Sequence, residues 1–264
     1  MVSLVPFFAL LGLFVGSFLN VCIDRLPRGQ SIAYPPSHCA GCHHKLGFFD
    51  LIPLVSFLWL KGRCRYCKAA IPVRIPIVEA VTGLLFALLA WKYGLRVELG
   101  ITLIYASLLL VIFVIDLETT YVMSVTVFPS MIAAFAFSLF WPGIRPLDLP
   151  GGPVIDKLAS SLMGGVIGFA GMWLPYVIAR MVYHREGMGK GDIQLSALVG
   201  LMTGFPFVII AWFLAVISGA IISSALLLFK IKKRTDPIPF GPFIAVAAMV
   251  TLLWGQNILT WYLG

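Results

Sequence analysis

The sequence predicts an all-α integral membrane protein: a polytopic bundle of about eight transmembrane helices with a small zinc-binding loop domain in the cytoplasm. Two observations predict this class. Of the 264 residues, 60% are hydrophobic and only 11% are charged, and the mean hydropathy is +1.00. A soluble domain carries roughly 25% charged residues, so this composition indicates a membrane protein of several spans.

Eight apolar segments can serve as the transmembrane helices. Most of them reach the ~17–25 residues that a helix needs to cross a bilayer. The sixth is short, so it and the seventh are either two spans or one broken, re-entrant unit, which would reverse the orientation of everything downstream. The segments are residues 4–22, 76–94, 98–117, 122–141, 157–182, 192–204, 205–229 and 239–263.

The basic residues predict the orientation. The loop 24–75 contains eight of the nineteen Lys and Arg residues, and positive charge favours the cytoplasmic side. With eight spans, fifteen of the nineteen lie inside, which supports eight spans over seven and places the N-terminus outside. We therefore divide the chain into a first transmembrane helix (1–23), a cytoplasmic loop domain (24–75) and a transmembrane core (76–264). The net charge of +8 follows from this topology and suits contact with anionic lipid; no nucleic-acid-binding motif is visible.

The loop domain contains two C-x-x-C pairs separated by 21 residues. Two such pairs are the usual ligands of a tetrahedral Cys₄ zinc site. Two disulfides or four idle thiols are the alternatives, and a reducing cytoplasm disfavours disulfides. About 50 residues bury little core, so a structural metal would stabilise the domain. The predicted ligands are Cys39, Cys42, Cys64 and Cys67, and the neighbouring residues that could replace one of them are His38, His43 and His44.

Two aspartates are the candidate catalytic residues. Asp192 begins an apolar segment and follows the alternate glycines Gly187, Gly189 and Gly191, while Asp116 lies at the inner end of another segment. Carboxylates at a membrane boundary are costly and are functional candidates by default. Two carboxylates sharing one proton can activate water and protonate the oxygen of a peptide carbonyl, as in aspartyl proteases. The glycines would let an extended substrate approach the backbone closely. The pattern predicts an intramembrane aspartyl protease.

Each carboxylate also has a structural interpretation. Asp192 could be only a helix N-cap. Asp116 ends a helix, where an anion opposes the helix dipole, so a structural role explains it poorly. Glu118 is a competing carboxylate nearer to water. Glu79, with Arg74 upstream, is either a supporting residue of the site or part of an ion pair or interface anchor.

Taken in order, these motifs and several others make the chain similar to the type IV prepilin peptidases, the leader peptidases and N-methyltransferases of bacterial pilus and type II secretion systems. The resemblance covers nearly the whole chain, and the order and spacing of the motifs make it specific. The motifs are residues 16–21 (GSFLNV), 25–27 (RLP), the two cysteine pairs, 52–53 (IP), 62–64 (GRC), 74–76 (RIP), Glu79, 115–116 (ID), 187–192 (GMGKGD) and 238–243 (IPFGPF).

The resemblance implies an enzyme of the bacterial inner membrane that cuts the leaders of prepilins and pseudopilins after a glycine, at the cytoplasmic face. It also implies methylation of the new N-terminal amine with S-adenosylmethionine, catalytic roles for Asp116 and Asp192, and a zinc-binding loop tied to methyl transfer. Two departures are visible. Met123 and Ser124 stand where family members often have a proline and a second aspartate, and Gln194 stands where a lysine is common.

Two other classes remain as alternatives. A GxGD-type intramembrane protease without methyltransferase activity would use the same aspartates, but the cysteine loop and the length argue against it. A zinc-loop membrane scaffold or transporter would use them for proton or ion coupling. Transporters often contain paired repeats, and the sequence shows no convincing repeat.

Overall fold

The computed structural model describes residues 4–141, 152–183, 189–233, 236 and 238–263. Over these ranges the chain is helical, apart from short connections and the cysteine loop, which is mainly irregular and contains two isolated β-bridges. The helices are α1 (Val5–Arg25), α2 (Val55–Trp59), α3 (Arg74–Tyr93), α4 (Val97–Thr119), α5 (Ser124–Phe137), α6 (Pro153–Tyr183), α7 (Lys190–Thr203), α8 (Phe207–Leu228) and α9 (Gly241–Leu263). The all-α prediction is confirmed.

The eight helices other than α2 correspond one to one to the eight predicted apolar segments. In the described part of the chain, six of them are long and apolar enough to cross a membrane, namely α1, α3, α4, α6, α8 and α9. The other two, α5 and α7, have 14 residues each. The chain is thus a multi-pass membrane protein, while full crossing by α5 and α7 stays a prediction.

The short sixth and the seventh segments form separate helices. Helix α7 ends at Gly204, whose φ of 70° is unfavourable for residues with a side chain. Pro206 then precedes the first turn of α8, where its missing N–H costs no helical hydrogen bond. The Gly-Phe-Pro sequence that marked this boundary therefore does end one helix and start another.

The chain divides into two compact units, Met1–Ser107 and Leu108–Gly264. In the first unit, α1 and α3 run antiparallel and pack along glycines. A Cβ on Gly16 would lie 2.8 Å from the Cα of Glu79, so only glycine permits this approach. At the end of the pair the Arg74 guanidinium contacts Asp24 at 2.7 Å. Since α3 begins at Arg74, the loop is shorter than the predicted 24–75.

The second unit is arranged around α7, which packs against α5, α6, α8 and α9. Ten of its 14 residues are buried, so most of this helix faces protein rather than its surroundings. Small residues bring α6 and α7 together, and hydroxyl groups bond across the contact. The Ser196 hydroxyl donates to the Gly168 carbonyl at 2.8 Å, and the Ser161 hydroxyl to the Leu201 carbonyl at 2.8 Å. This packing fixes the position of the first turn of α7.

Candidate active site and metal centre

Asp116 lies in the last turn of α4 and is 2% exposed. The Gly241 N–H, at the start of α9, donates a hydrogen bond to its carboxylate. A Cβ on Gly241 would lie 2.5 Å from Asp116 Oδ2, so glycine is needed there. Among the described residues, Oδ2 has no hydrogen-bond partner. Glu118, the competing carboxylate, is exposed.

Asp192 lies in the first turn of α7 and is also buried. The N-cap is Gly189 rather than Asp192, because the helix begins two residues earlier than the sequence suggested, at Lys190. The interpretation of Asp192 as the N-cap is therefore wrong. Its carboxylate instead accepts a hydrogen bond from the Gly189 N–H, and a carboxylate in a first turn interacts favourably with the helix dipole.

The two aspartates belong to the same unit, and their carboxyl groups are close enough to interact electrostatically. Val122, in the connection between α4 and α5, packs against Gly191 of α7 and Gly241 of α9. A Cβ on Gly191 would lie 2.6 Å from the Val122 Cβ, and one on Gly241 would lie 3.2 Å from its Cγ2. The residue that approaches the Gly191 backbone closely is thus Val122 of the same chain.

Two of the three glycines of the run lie in the described residues. Val122 occupies the space beside Gly191, and Gly189 is the exposed N-cap of α7 with extended backbone. Gly187 lies outside the described residues. A role for these glycines in admitting substrate stays a prediction.

A hydrogen bond joins the first residue of α5 to α7. The Ser124 hydroxyl donates to Gln194 Oε1 at 2.8 Å, two residues after Asp192. Both belong to the three positions at which the sequence departs from the common family pattern, and here they contact each other. Sequence reasoning treated the departures separately and missed this pair. It also missed Val122 and Gly241, although the IPFGPF motif was a signal for the latter.

The four predicted cysteines of the loop meet in one cluster. Their sulfur atoms all lie within 4.8 Å of one another, and Cys39 Sγ is 3.7 Å from Cys67 Sγ. Zinc–sulfur bonds of ~2.3 Å in a tetrahedron place sulfurs about 3.8 Å apart. The cluster can therefore bind a metal ion. In the described residues, the group of converging ligand atoms includes no histidine.

The two cysteine pairs have the same local structure. The N–H of the first cysteine donates to the carbonyl five residues on, from Cys39 to His44 and from Cys64 to Ala69. The residue four positions on has a positive φ in both pairs, 56° at His43 and 60° at Lys68. The N–H groups of Cys42 and Gly41 lower the pKa of the Cys39 thiol to about 6, which favours the thiolate that binds metal.

Glu79 and Arg74, the predicted supporting residues, lie in the first unit and have structural partners there. Glu79 is 4% exposed and accepts hydrogen bonds from the Leu54 N–H at 2.9 Å and from the Ser17 side chain. It connects the loop and α1 to α3. Arg74 pairs with Asp24. A supporting role in catalysis stays a prediction for both.

The fold and the cysteine cluster define a class, a multi-pass helical membrane protein with a metal-binding loop, and comparison with known proteins gives the family. Residues 10–93 match the bacterial peptidase A24 N-terminal domain, and residues 103–224 match the type IV leader peptidase family. The prepilin leader peptidase/N-methyltransferase of Pseudomonas aeruginosa is 33% identical over 96% of this chain and 91% of its own length. That of Bacillus subtilis is 32% identical over 96% and 95%.

This chain belongs to the type IV leader peptidase family. Family membership makes it an enzyme, a peptidase of the membrane. No solved structure matches the chain.

Proposed function

We propose that the chain removes the leader peptide of type IV prepilins and pseudopilins after a glycine, and then N-methylates the new N-terminal residue. The observation that carries the peptidase proposal is the buried pair Asp116 and Asp192, two interacting carboxyl groups in one helical unit. The names of the relatives, prepilin leader peptidase/N-methyltransferase, support the substrate and the second activity.

The distribution of basic residues supports the proposed location. We place the chain in the bacterial inner membrane, with the loop domain and both aspartates at the cytoplasmic face. A prepilin anchored by its own apolar helix would approach laterally, so that its leader lies across the two carboxyl groups.

The two carboxyl groups divide the chemistry between them. The ionised one takes a proton from water as the water oxygen attacks the scissile carbonyl carbon. The protonated one donates its proton to the carbonyl oxygen, which gives a neutral tetrahedral diol. Collapse of the diol breaks the C–N bond. The amine leaves with a proton from the first carboxyl group, and the second, now ionised, takes a hydroxyl proton from the diol. The buried Asp116 Oδ2, which has no partner among the described residues, suits an atom that exchanges protons with substrate.

The cysteine cluster suits a structural Zn²⁺. Four thiolates would fill all four positions of a tetrahedral site and leave none open for catalysis. The loop between α1 and α3 contains few buried apolar residues, so the metal would supply much of its folding free energy. The loop is the region that we associate with methyl transfer. S-adenosylmethionine would supply the methyl group, and we assign that step to no residue.

Cleavage of a prepilin-type substrate in detergent tests the peptidase. Asp116→Asn and Asp192→Asn preserve shape and remove the acid, so each should abolish cutting. Glu118→Gln is the matched control, because it neutralises an exposed carboxylate two residues from Asp116. Full cutting by either aspartate variant would remove that residue from the mechanism.

Methylation is measured separately, with a peptide that already has the mature N-terminus. Methyl transfer by both asparagine variants, with cutting lost, would show two separable activities. Absence of methyl transfer by the wild-type protein would show that the chain is a peptidase without methyltransferase activity.

A further inference from the structure

The segment 48–60 of the cysteine loop has an apolar outer surface. It contains a single turn of 3₁₀-helix, Phe48–Asp50, and the short helix α2. Several of its large apolar side chains are exposed: Phe48 by 73%, Phe49 by 72%, Val55 by 53%, Leu58 by 73% and Trp59 by 80%. So many large exposed apolar side chains in one short segment are unusual on a part of a protein that contacts only water.

This outer surface cannot turn inward, because the opposite side of the segment is fixed to the second cysteine pair. The Phe57 ring packs against Gly62, where an added Cβ would lie 3.1 Å from the ring Cζ. The Arg65 guanidinium contacts the Asp50 carboxylate at 2.8 Å. The apolar side chains are therefore held outward by the local fold.

The segment is also held at a defined height along the helix pair α1 and α3. The Leu54 N–H donates to Glu79 Oε2 at 2.9 Å. Glu79 follows Arg74, the first residue of α3, by five positions, which is about 7.5 Å of helix. The Arg74–Asp24 ion pair marks the polar end of the two helices. Leu54 is thus attached near the start of α3, a helix that is long and apolar enough to cross the membrane.

We infer that the segment 48–60 lies in the membrane interface, with the side chains of Phe48, Phe49, Leu58 and Trp59 in contact with lipid. Aromatic side chains are favoured at the boundary between headgroups and hydrocarbon. The exposed cations Lys45, Lys61 and Arg63 flank the segment and suit anionic headgroups. The chain continues from this loop into a membrane helix at both ends, which keeps the segment close to lipid.

The apolar helix of a prepilin is the other candidate occupant. It would cover the surface only while substrate is bound, and five exposed side chains would otherwise face water. Because the segment is fixed beside Glu79 inside a membrane helix, the structure favours lipid.

Quenching of Trp59 fluorescence tests the inference. The full-length protein and its Trp59→Phe variant are reconstituted in phosphatidylcholine–phosphatidylglycerol vesicles, with and without lipid brominated near the top of the acyl chain. The difference in emission between the two proteins reports Trp59. We expect brominated lipid to remove about half of that emission or more, and aqueous iodide to have little effect. Trp91→Phe is the matched control, since Trp91 is an exposed residue of the membrane helix α3.

Two results would overturn the inference. Quenching of Trp59 by iodide with no effect of brominated lipid would place the residue in water. Iodide quenching that disappears only when a prepilin-type peptide is added would identify a substrate surface instead. Phe49→Trp in the Trp59→Phe protein provides a second reporter on the same surface, and it should respond as Trp59 does.

Discussion

The cysteine cluster and the aspartate pair are both built from residues far apart in sequence, but they are assembled in different ways. Each cysteine pair is shaped by its own short loop, with the same hydrogen bonds and the same positive-φ position in both copies. The aspartates lie on two different helices, α4 and α7, and both are buried. The first site therefore depends mainly on local sequence, and the second on contacts between residues far apart in the chain.

If this contrast is correct, damage to one site should leave the other measurable. The largest effect is expected for the aspartates. Asp116→Asn or Asp192→Asn should lower the rate of leader cleavage by about 10²–10⁴-fold, the usual contribution of a general acid or base. Metal content, measured by atomic absorption on the same preparation, should be unchanged. A loss of metal in these variants would show that the two sites are not separable.

The converse substitution removes a ligand of the proposed zinc ion. Cys64→Ser acts on the buried cysteine of the cluster, and Cys39→Ser on the thiol with the lowered pKa. Both should lose most of the bound metal and make the loop sensitive to protease, because a serine hydroxyl is a poor zinc ligand and the loop has little other core. Methyl transfer should fall with the metal, and cleavage should fall by less than in the asparagine variants.

Cys22→Ser is the matched control for the cysteine variants. Cys22 is a buried residue of α1 that does not belong to the cluster, so its substitution should leave metal content unchanged. Intact metal content and intact methylation in Cys39→Ser would refute the assignment of the loop.

The two sites also differ in how far sequence could predict them. The cysteine cluster follows from spacing alone, because two C-x-x-C pairs specify four ligands. The helices follow from the length of apolar segments, and α7 was recognised although it is short. Asp116 and Asp192 were found because a carboxylate is unexpected in an apolar segment.

The residues that surround the aspartates could not be predicted from the sequence in this way. Val122 is an ordinary apolar residue, and only packing shows that it fills the space beside Gly191 and Gly241. The Ser124–Gln194 bond joins residues 70 positions apart. The helix start at Lys190 was missed because Gly189 and Asp192 are both of types favoured at an N-cap, and only the backbone shows which of them precedes the helix. Contacts of this kind depend on tertiary structure rather than on local patterns.

Gly191→Ala tests whether close packing in the second unit positions the aspartates. The added Cβ would meet the Val122 Cβ at 2.6 Å and its carbonyl oxygen at 2.9 Å, and neither atom can move without the backbone. Overpacking typically costs about 1–3 kcal/mol, so we expect a lower melting temperature and cleavage reduced by roughly tenfold or more. The control is Gly100→Ala, where a Cβ meets nothing within 4 Å; this change should be neutral or stabilising. Equal activity in both variants would mean that the Val122 contact is not needed.

The smallest effect is expected at the Ser124–Gln194 bond. A net hydrogen bond is worth about 0.5–1.5 kcal/mol, so Ser124→Ala and Gln194→Ala should each slow cleavage by roughly 2- to 10-fold. Because the two side chains form one hydrogen bond with each other, the double variant should lose little more cleavage activity than either single variant. Ser107→Ala is the control, since its hydroxyl donates to the Leu103 carbonyl of its own helix. Additive losses in the double variant would show that Ser124 and Gln194 act independently, and that packing around Val122 alone aligns α7 with the end of α4.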